Sequence, residues 1–401
     1  MNSKLFLFNP DHDLAMANQD VNYMPPASAR QFGMDLALFP AWYAGAQNAV
    51  LAPSAYNLAF LSRIRAKFPQ LASLLTETEV ATVRNVDFVP WGWDAAVYKR
   101  LIQLGVPPRA LPEQDDLSVI RRKSHRLQSV ALLKCLQFDR CCGESFYMTE
   151  LEALKDYVES RAWCLLKAPL SGSGKGLNWC RGVFTSPVSD WCRNVIRQQG
   201  GVVAEPLYDK VVDFAMQFYA DGSGSVRFAG YSLFCTKPNG CYDRNLLATD
   251  KDIEDLLSGY IPSCLLDQVR DALERELSAL IDGVYTGYLG VDMMICRSDS
   301  PECRLHPCVE INLRMNMGMA SRMIHDRFVL EGMRGILKVC YYASNADLQA
   351  DHLRMTVEHP LETAGGRIVR GYLPLVPITP RSHYVVWVLA GEPADFEFSP
   401  E

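Results

Sequence analysis

The chemistry-bearing residues of this chain begin at a short apolar run that ends in a charge and a glycine loop. Leu165-Leu166-Lys167-Ala168-Pro169 leads into Ser171-Gly172-Ser173-Gly174-Lys175-Gly176. Glycines let backbone N–H groups approach phosphate oxygens, and lysines supply positive charge. The loop is not a Walker A motif, because Gly176 follows Lys175 where Ser or Thr is required and Pro169 stands where a glycine is required. By itself it reads equally well as a flexible hairpin tip. A second group is Val203-Ala204-Glu205-Pro206-Leu207, followed by Val212-Asp213-Phe214. A strand, a hinge and a further carboxylate suit an adenine amine and a ribose; they also suit an ordinary strand end with surface acids.

The third group is the most specific. Gly290-Val291-Asp292-Met293-Met294 is a strand with one acid among apolar residues, and Val309-Glu310-Ile311-Asn312-Leu313-Arg314 is another. Residues two apart in a strand share a face. Glu310, Asn312 and Arg314 therefore line one side, and Val309, Ile311 and Leu313 pack the other. A neighbouring strand carrying Asp292 adds a second carboxylate, and oxygen ligands of this kind suit Mg²⁺ held against phosphates. A half-buried alternating strand facing water does not explain why an acid, an amide and a guanidinium fall together beside a second acid-bearing strand.

The elements that must position these groups follow from apolar periodicity. Lys4–Phe8 and Ala49–Ala52 read as buried strands, and Asp94–Leu104 as a helix stopped by Gly105 and Pro107-Pro108. This βα pattern predicts a parallel sheet covered by helices. Leu117–Leu136 reads as one helix carrying Arg121, Arg122, Lys123, His125 and Arg126, either a solvated basic face or part of a site. Ala162–Leu166 and Val202–Glu205 are strands, and 211–234 is strand-like with a turn at Asp221-Gly222-Ser223-Gly224. Leu266, Val269, Leu273, Leu277 and Leu280 stripe a long helix; Ala320–Tyr342 reads as helical. The tail from Asp351 mixes strand-like runs with prolines and reads as an appendage.

Bulk composition narrows the function classes. The chain has 401 residues, 49% of them hydrophobic, which suits two or three packed domains. Forty basic residues against 46 acidic ones give a net charge of -6, with no general attraction for nucleic acid. The 13 cysteines form no CxxC pair and sit in apolar segments, as free thiols of a cytoplasmic protein would. No run approaches the roughly 20 apolar residues of a membrane span.

Lys167 with its Gly/Ser loop, Glu205, Asp213, Asp292 and Glu310-x-Asn312-x-Arg314 resemble, in order and approximate spacing, the ATP-grasp superfamily of carboxylate–amine ligases. The resemblance covers roughly residues 117–345, and its most specific part is the E-x-N-x-R strand after a G-V-D strand. It implies α/β and α+β architecture: an N-terminal parallel-sheet domain over residues 1–115, a small subdomain over 116–205, a large subdomain with the metal site over 206–345, and a C-terminal appendage over 346–401.

The resemblance also implies roles. Lys167 contacts phosphates, and Ser171, Gly172, Ser173, Gly174 and Lys175 close over them. Glu205 and Leu207 receive the adenine and Asp213 the ribose. Asp292, Glu310 and Asn312 hold Mg²⁺ or Mn²⁺, and Arg314 meets the transferred phosphoryl group or the acyl substrate. Arg126 stands where the superfamily usually carries an ATP-contacting lysine, with Lys123 as the other candidate. Lys237 and Arg244, in a loop over 236–245, are placed to reach phosphate. The implied activity is ATP-dependent ligation of a small carboxylate to an amine through an acyl phosphate. The alternatives are a phosphotransferase on the same fold and a nucleotide-binding module without turnover. Implied partners are small molecules, with no nucleic acid and no membrane, and a homo-oligomer is compatible with the sequence. The loop Asn9-Pro10-Asp11-His12-Asp13 and the stretch Trp91-Gly92-Trp93-Asp94 stand either as ligand-facing loops or as a polar turn and core tryptophans.

Overall fold

Short apolar runs bounded by turns build the first layer. In the computed structural model, which describes residues 3–396 apart from 54, 84, 173, 175, 238, 299 and 300, the chain opens with β1 (Ser3–Leu7), α1 (His12–Asn18), α2 (Ala27–Asp35) and α3 (Ala41–Ala44). It continues through β2 (Ala49–Leu51), α4 (Ala55–Arg65), β3 (Ser73–Leu75), α5 (Glu77–Val80), β4 (Val86–Pro90) and α6 (Ala95–Gln103). The four strands pair in parallel in the order β3-β2-β1-β4, as the βα pattern predicts. Asp94 caps α6 by accepting from the Val97 amide at 2.8 Å.

The basic stretch expected as one helix is two, α7 (Gln114–Lys123) and α8 (Leu127–Cys135). The break has a local cause. The Arg126 amide, which would bond the Arg122 carbonyl in a continuous helix, bonds Pro169 O instead at 3.0 Å. The chain between β6 and the glycine loop thus interrupts the helix and fixes Arg126 beside it.

β5 (Phe146–Met148), α9 (Leu151–Glu159), β6 (Cys164–Lys167), β7 (Leu177–Cys180), α10 (Ser186–Gln199) and β8 (Val202–Pro206) form a small antiparallel sheet in the order β5-β8-β6-β7. Its inner face packs Leu166, Ala204 and Cys164 against Leu154, Val158 and Cys192 of the two helices.

A nine-stranded sheet makes up the rest. β9 (Lys210–Asp221), β10 (Val226–Thr236), β11 (Tyr242–Leu247), α11 (Asp250–Ser258), α12 (Ser263–Ile281), β12 (Thr286–Cys296), β13 (Arg304–Asn312) and α13 (Met317–Phe328) come first. β14 (Arg334–Tyr341), α14 (Asn345–Glu358), β15 (Glu362–Ala364), β16 (Arg367–Pro374) and β17 (Tyr384–Gly391) complete it, in the order β13-β12-β9-β10-β11-β14-β17-β16-β15. The apolar stripe of α12 covers one face of this sheet, burying Leu266, Val269, Leu273 and Leu277 with Phe214, Phe218 and Val291.

Two sequence expectations change here. Ala320–Tyr342 is not all helix: α13 stops at Phe328, the chain reverses at Gly332 with φ +84°, and β14 follows. The segment after 346 is joined to the sheet, because β17 pairs with β14 from Tyr341↔Tyr384 to Arg334↔Gly391. That segment also reaches the first layer. Trp42 Nε1 donates to Leu375 O at 2.6 Å, and Phe8, Phe39 and Trp42 share a core with Val386, Val388 and Phe328.

Candidate active site

β12 and β13 bring the predicted oxygen donors together. Asp292 lies directly opposite Glu310, and Gly290 opposite Asn312. Just beyond, between Asp292 and Met294, the ladder shifts register, and Met294 pairs with His306. Pro307, which has no N–H to give, lies in the bulged stretch. Ile311 and Leu313 point into the core beside α12, so Glu310, Asn312 and Arg314 share the opposite face. β13 is an edge strand, and the Ser129 hydroxyl of α8 accepts its Ile311 amide at 3.0 Å.

The electrostatics of this pair are set by crowding. Burial, and then the Glu310 charge, push Asp292 up to about 7. Asn312 Nδ2 donates to Asp292 Oδ2 at 2.9 Å, which leaves Asn312 Oδ1 as an acceptor. Arg126 Nη2 meets Glu310 Oε2 at 2.7 Å, while its Nη1 bonds Ser171 Oγ at 2.6 Å and the Ala168 carbonyl. One buried guanidinium therefore ties the glycine loop to the carboxylate strand.

Two opposed carboxylates with a free amide oxygen fit a hard divalent cation such as Mg²⁺, whose charge would relieve their mutual repulsion. Among the described residues there is no group of three or more His, Cys, Asp or Glu suited to a metal. Two carboxylates and one amide oxygen leave other coordination positions of such a cation for water or phosphate oxygens.

Lys167 of β6 lies opposite Val203 and Glu205 of β8 opposite Leu165, so the two are diagonal neighbours, and they form a buried ion pair with Nζ–Oε2 2.5 Å. Ser145 Oγ also donates to Glu205 Oε1 at 2.9 Å. Leu207 follows on the exposed side of the hinge. Asp213 accepts from Thr236 Oγ1 at 2.8 Å and from Lys210 Nζ. His306 lies close by, fully buried against Tyr208 with ring centroids 5.3 Å apart, and burial pushes its pKa down to about 4.

Gly172 packs so tightly on Asp13 that an added Cβ would overlap its carboxylate. Gly174, with φ +73°, lies against Gly240 and Cys241 of the turn between β10 and β11. Ser173 and Lys175 lie outside the described residues. Arg314 is held by Asp13 in a two-pronged bond, Nε–Oδ1 2.9 Å and Nη2–Oδ2 2.8 Å. Burial opposes charge on Asp13, but the Arg314 guanidinium overrides it and holds the carboxyl below the usual range. Arg244 is not brought in. Its guanidinium pairs with Asp243 at 2.8 Å, its side chain is 38% exposed, and it is not among the residues bordering the cavity, whereas Lys237 is. Lys123 likewise does not border it.

A cavity of about 430 Å³ runs from Asp292, Glu310, Asn312 and Arg314 toward the N-terminal domain and β14. Sequence reasoning left the roles of the two N-terminal loops open. The structure brings Asn9, His12 and Asp94 together: Asn9 Nδ2 and His12 Nδ1 both meet Asp94 Oδ2, at 3.1 Å each. His12 is buried beside Asp13, next to Arg314 and Ser171. Gln217, Ser232 and Asn316 were missed. Asn316 Nδ2 donates to Gln217 Oε1 at 2.8 Å, and Gln217 Nε2 to Ser232 Oγ at 3.1 Å. The available signal was a glutamine within the apolar run of β9 and an Asn cap three residues before Met319.

Neither the protein-family models nor the curated proteins contain a match to this chain. Solved structures do. A biotin carboxylase–beta-gamma-ATP complex from Campylobacter jejuni is 11% identical over 97% of this chain and 87% of its own, with TM-score 0.50. Pyruvate carboxylase from Rhizobium etli is 12% identical over 98% of this chain and 36% of its own, with TM-score 0.51. N5-carboxyaminoimidazole synthetase from Staphylococcus aureus, complexed with ADP, is 11% identical over 96% and 92%, with TM-score 0.46. At such identities the likeness is one of architecture, and the architecture is the ATP-grasp fold. No helix among the described residues is long and apolar enough to cross a membrane.

Proposed function

We propose that this protein is an ATP-dependent ligase that activates a small carboxylate for attack by an amine or a similar nucleophile. The observation that carries the reading is Asp292 opposed to Glu310, with Asn312 bonded to Asp292 and Arg126 linking Glu310 to the glycine loop. Residues 116–205 and 206–345 hold the nucleotide between them, and residues 1–115 close the acceptor side. β15, β16 and β17 complete the wall of the large sheet.

In this reading Lys167, Arg126 and the 171–176 loop take the phosphates, Glu205 and Leu207 the adenine, and Asp213 the ribose. Asp292, Glu310 and Asn312 hold Mg²⁺, which neutralises charge on the transferred group when bound. Arg314 meets that group while Asp13 fixes the plane of its guanidinium. A carboxylate oxygen bonds the γ-phosphorus, and the bond to the bridging oxygen breaks to release ADP. The amine nitrogen then attacks the acyl carbon, loses its proton, and phosphate leaves. Phosphoryl transfer asks mostly for position and charge, which these residues supply.

The test is thermal shift with ATP and Mg²⁺, then ADP and phosphate release with pooled organic acids, amino acids and amines. Stabilisation plus acid- and amine-dependent release of phosphate supports ligation. A phosphorylated acid that persists with no ligated product makes the protein a phosphotransferase instead. No stabilisation of folded protein by millimolar Mg-ATP rejects the reading.

A further inference from the structure

Beyond the carboxylates, the walls of the same cavity are built from aromatic rings drawn from three separate parts of the chain. Trp91 packs on Phe8 at 5.0 Å between centroids, Phe8 on Phe32 at 5.8 Å, Phe32 on Tyr384 at 5.1 Å, and Tyr384 on Tyr341 at 4.9 Å. All five border the cavity, so the ladder is continuous from the end of β1 through α2 to β17 and β14. Such a wall rewards a broad apolar body through buried area and edge-to-face ring contacts. It offers little to a small polar acid.

The cavity is not indifferent to polarity, however. Asn245 is 1% exposed and borders it; its Nδ2 is committed to Leu233 O at 3.3 Å, and its Oδ1 has no hydrogen-bond partner. A buried acceptor left without a donor is costly, and a bound N–H would satisfy it. The open acceptor on Asn245 thus asks for an N–H donor. At the charged end, Arg314 and the first-turn amides of α13, whose cap is Asn316, suit a carboxylate.

We propose that the half of this cavity bordered by the aromatic ladder takes an amino acid with an aromatic or similarly broad apolar side chain, its ammonium toward Asn245 and its ring against the ladder. This rests on the ligase reading for the fate of the carboxylate. It does not rest on it for binding.

The experiment is calorimetry on the full chain with L-phenylalanine, L-tyrosine and L-tryptophan, set against glycine and 3-phenylpropionate, with and without Mg-ADP. At least one aromatic amino acid should bind about tenfold or more tighter than glycine, which lacks the ring, and than 3-phenylpropionate, which lacks the N–H. Asn245→Leu should remove the preference over 3-phenylpropionate. Tyr341→Ala, at a side chain 62% exposed and so tolerated by the fold, should weaken the aromatic amino acid and leave Mg-ADP affinity unchanged. Equal affinity for glycine, or no binding of any aromatic amino acid to protein that binds Mg-ADP, overturns the proposal. Selective binding of an aromatic amino acid by protein that binds no nucleotide leaves the proposal standing and removes the ligase reading.

Discussion

Asp13 and Arg314 are joined by two parallel hydrogen bonds, 2.9 and 2.8 Å long, across 301 positions of sequence. The first parallel-sheet layer is thereby fastened to the end of the carboxylate strand at the cavity. Both side chains are mostly buried, 17% and 13% exposed. Removing one partner of such a pair leaves the other charge without compensation. Asp13→Ala should therefore destabilise the protein by about 3 kcal/mol in urea unfolding. Loss of turnover with no change in stability would mean that Arg314 finds other partners.

The pair Lys167–Glu205 makes a contrasting case, since both side chains are 6% exposed. Lys167→Ala should cost about 3 kcal/mol of stability, and Lys167→Met with Glu205→Leu should recover most of it, because an apolar pair of similar size removes the stranded charge. Nucleotide affinity should fall in both variants. Unchanged ATP affinity in the stable double variant, measured by calorimetry, would place the phosphates elsewhere.

Glu310→Ala and Asn312→Ala should each lower turnover roughly 1,000-fold, equivalent to about 4 kcal/mol of barrier. Nucleotide binding should suffer less, since Lys167 and the hinge remain. Arg304→Ala, at the far end of the same strand, serves as the control. Melting temperature and ATP turnover are read together; normal turnover in folded Glu310→Ala protein would remove the cation site.

His306 gives an acid-side signature. Its folded pKa is pushed down to about 4 by burial, below the roughly 6.5 of an unfolded histidine. The neutral ring is thus favoured by folding. Its contribution is fully present above about pH 6.5 and is lost as pH falls toward 4. Urea unfolding of the wild type should weaken by about 1–3 kcal/mol between pH 7 and pH 4.5 through this group. His306→Leu should flatten that slope. An unaltered slope would mean that the ring is hydrated in solution.

What the sequence made legible was whatever depends on near neighbours. The period-two pattern around Glu310, Asn312 and Arg314 shows which face each side chain takes, and the acid of the preceding strand lands directly opposite Glu310. The parallel first layer was equally readable. Other features required tertiary knowledge. A helix over Leu117–Leu136 is the better local solution until Pro169, far along the chain, takes the Arg126 amide. Arg126 consequently reaches Ser171 and Glu310, a placement that charge patterning alone leaves open. Asp13 looked like an ordinary helix-start acid because its partner lies 301 positions away. Arg244 looked available because its immediate neighbour Asp243 is not a partner that spacing rules reveal.

The bond from Trp42 to Leu375, and the core that Phe8 and Phe39 share with Val386 and Val388, bear on how the molecule is made. The first layer carries an apolar face that α13, β14 and β17 cover, all of them far along the chain. Partners so distant in sequence carry a high loop-closure cost and slow folding. Until those partners are in place, Trp42 and its neighbours present unburied apolar surface open to wrong contacts. The aromatic ladder of the cavity depends on the same long-range assembly, since Phe32 of the first layer meets Tyr384 of β17 only once the large sheet is built.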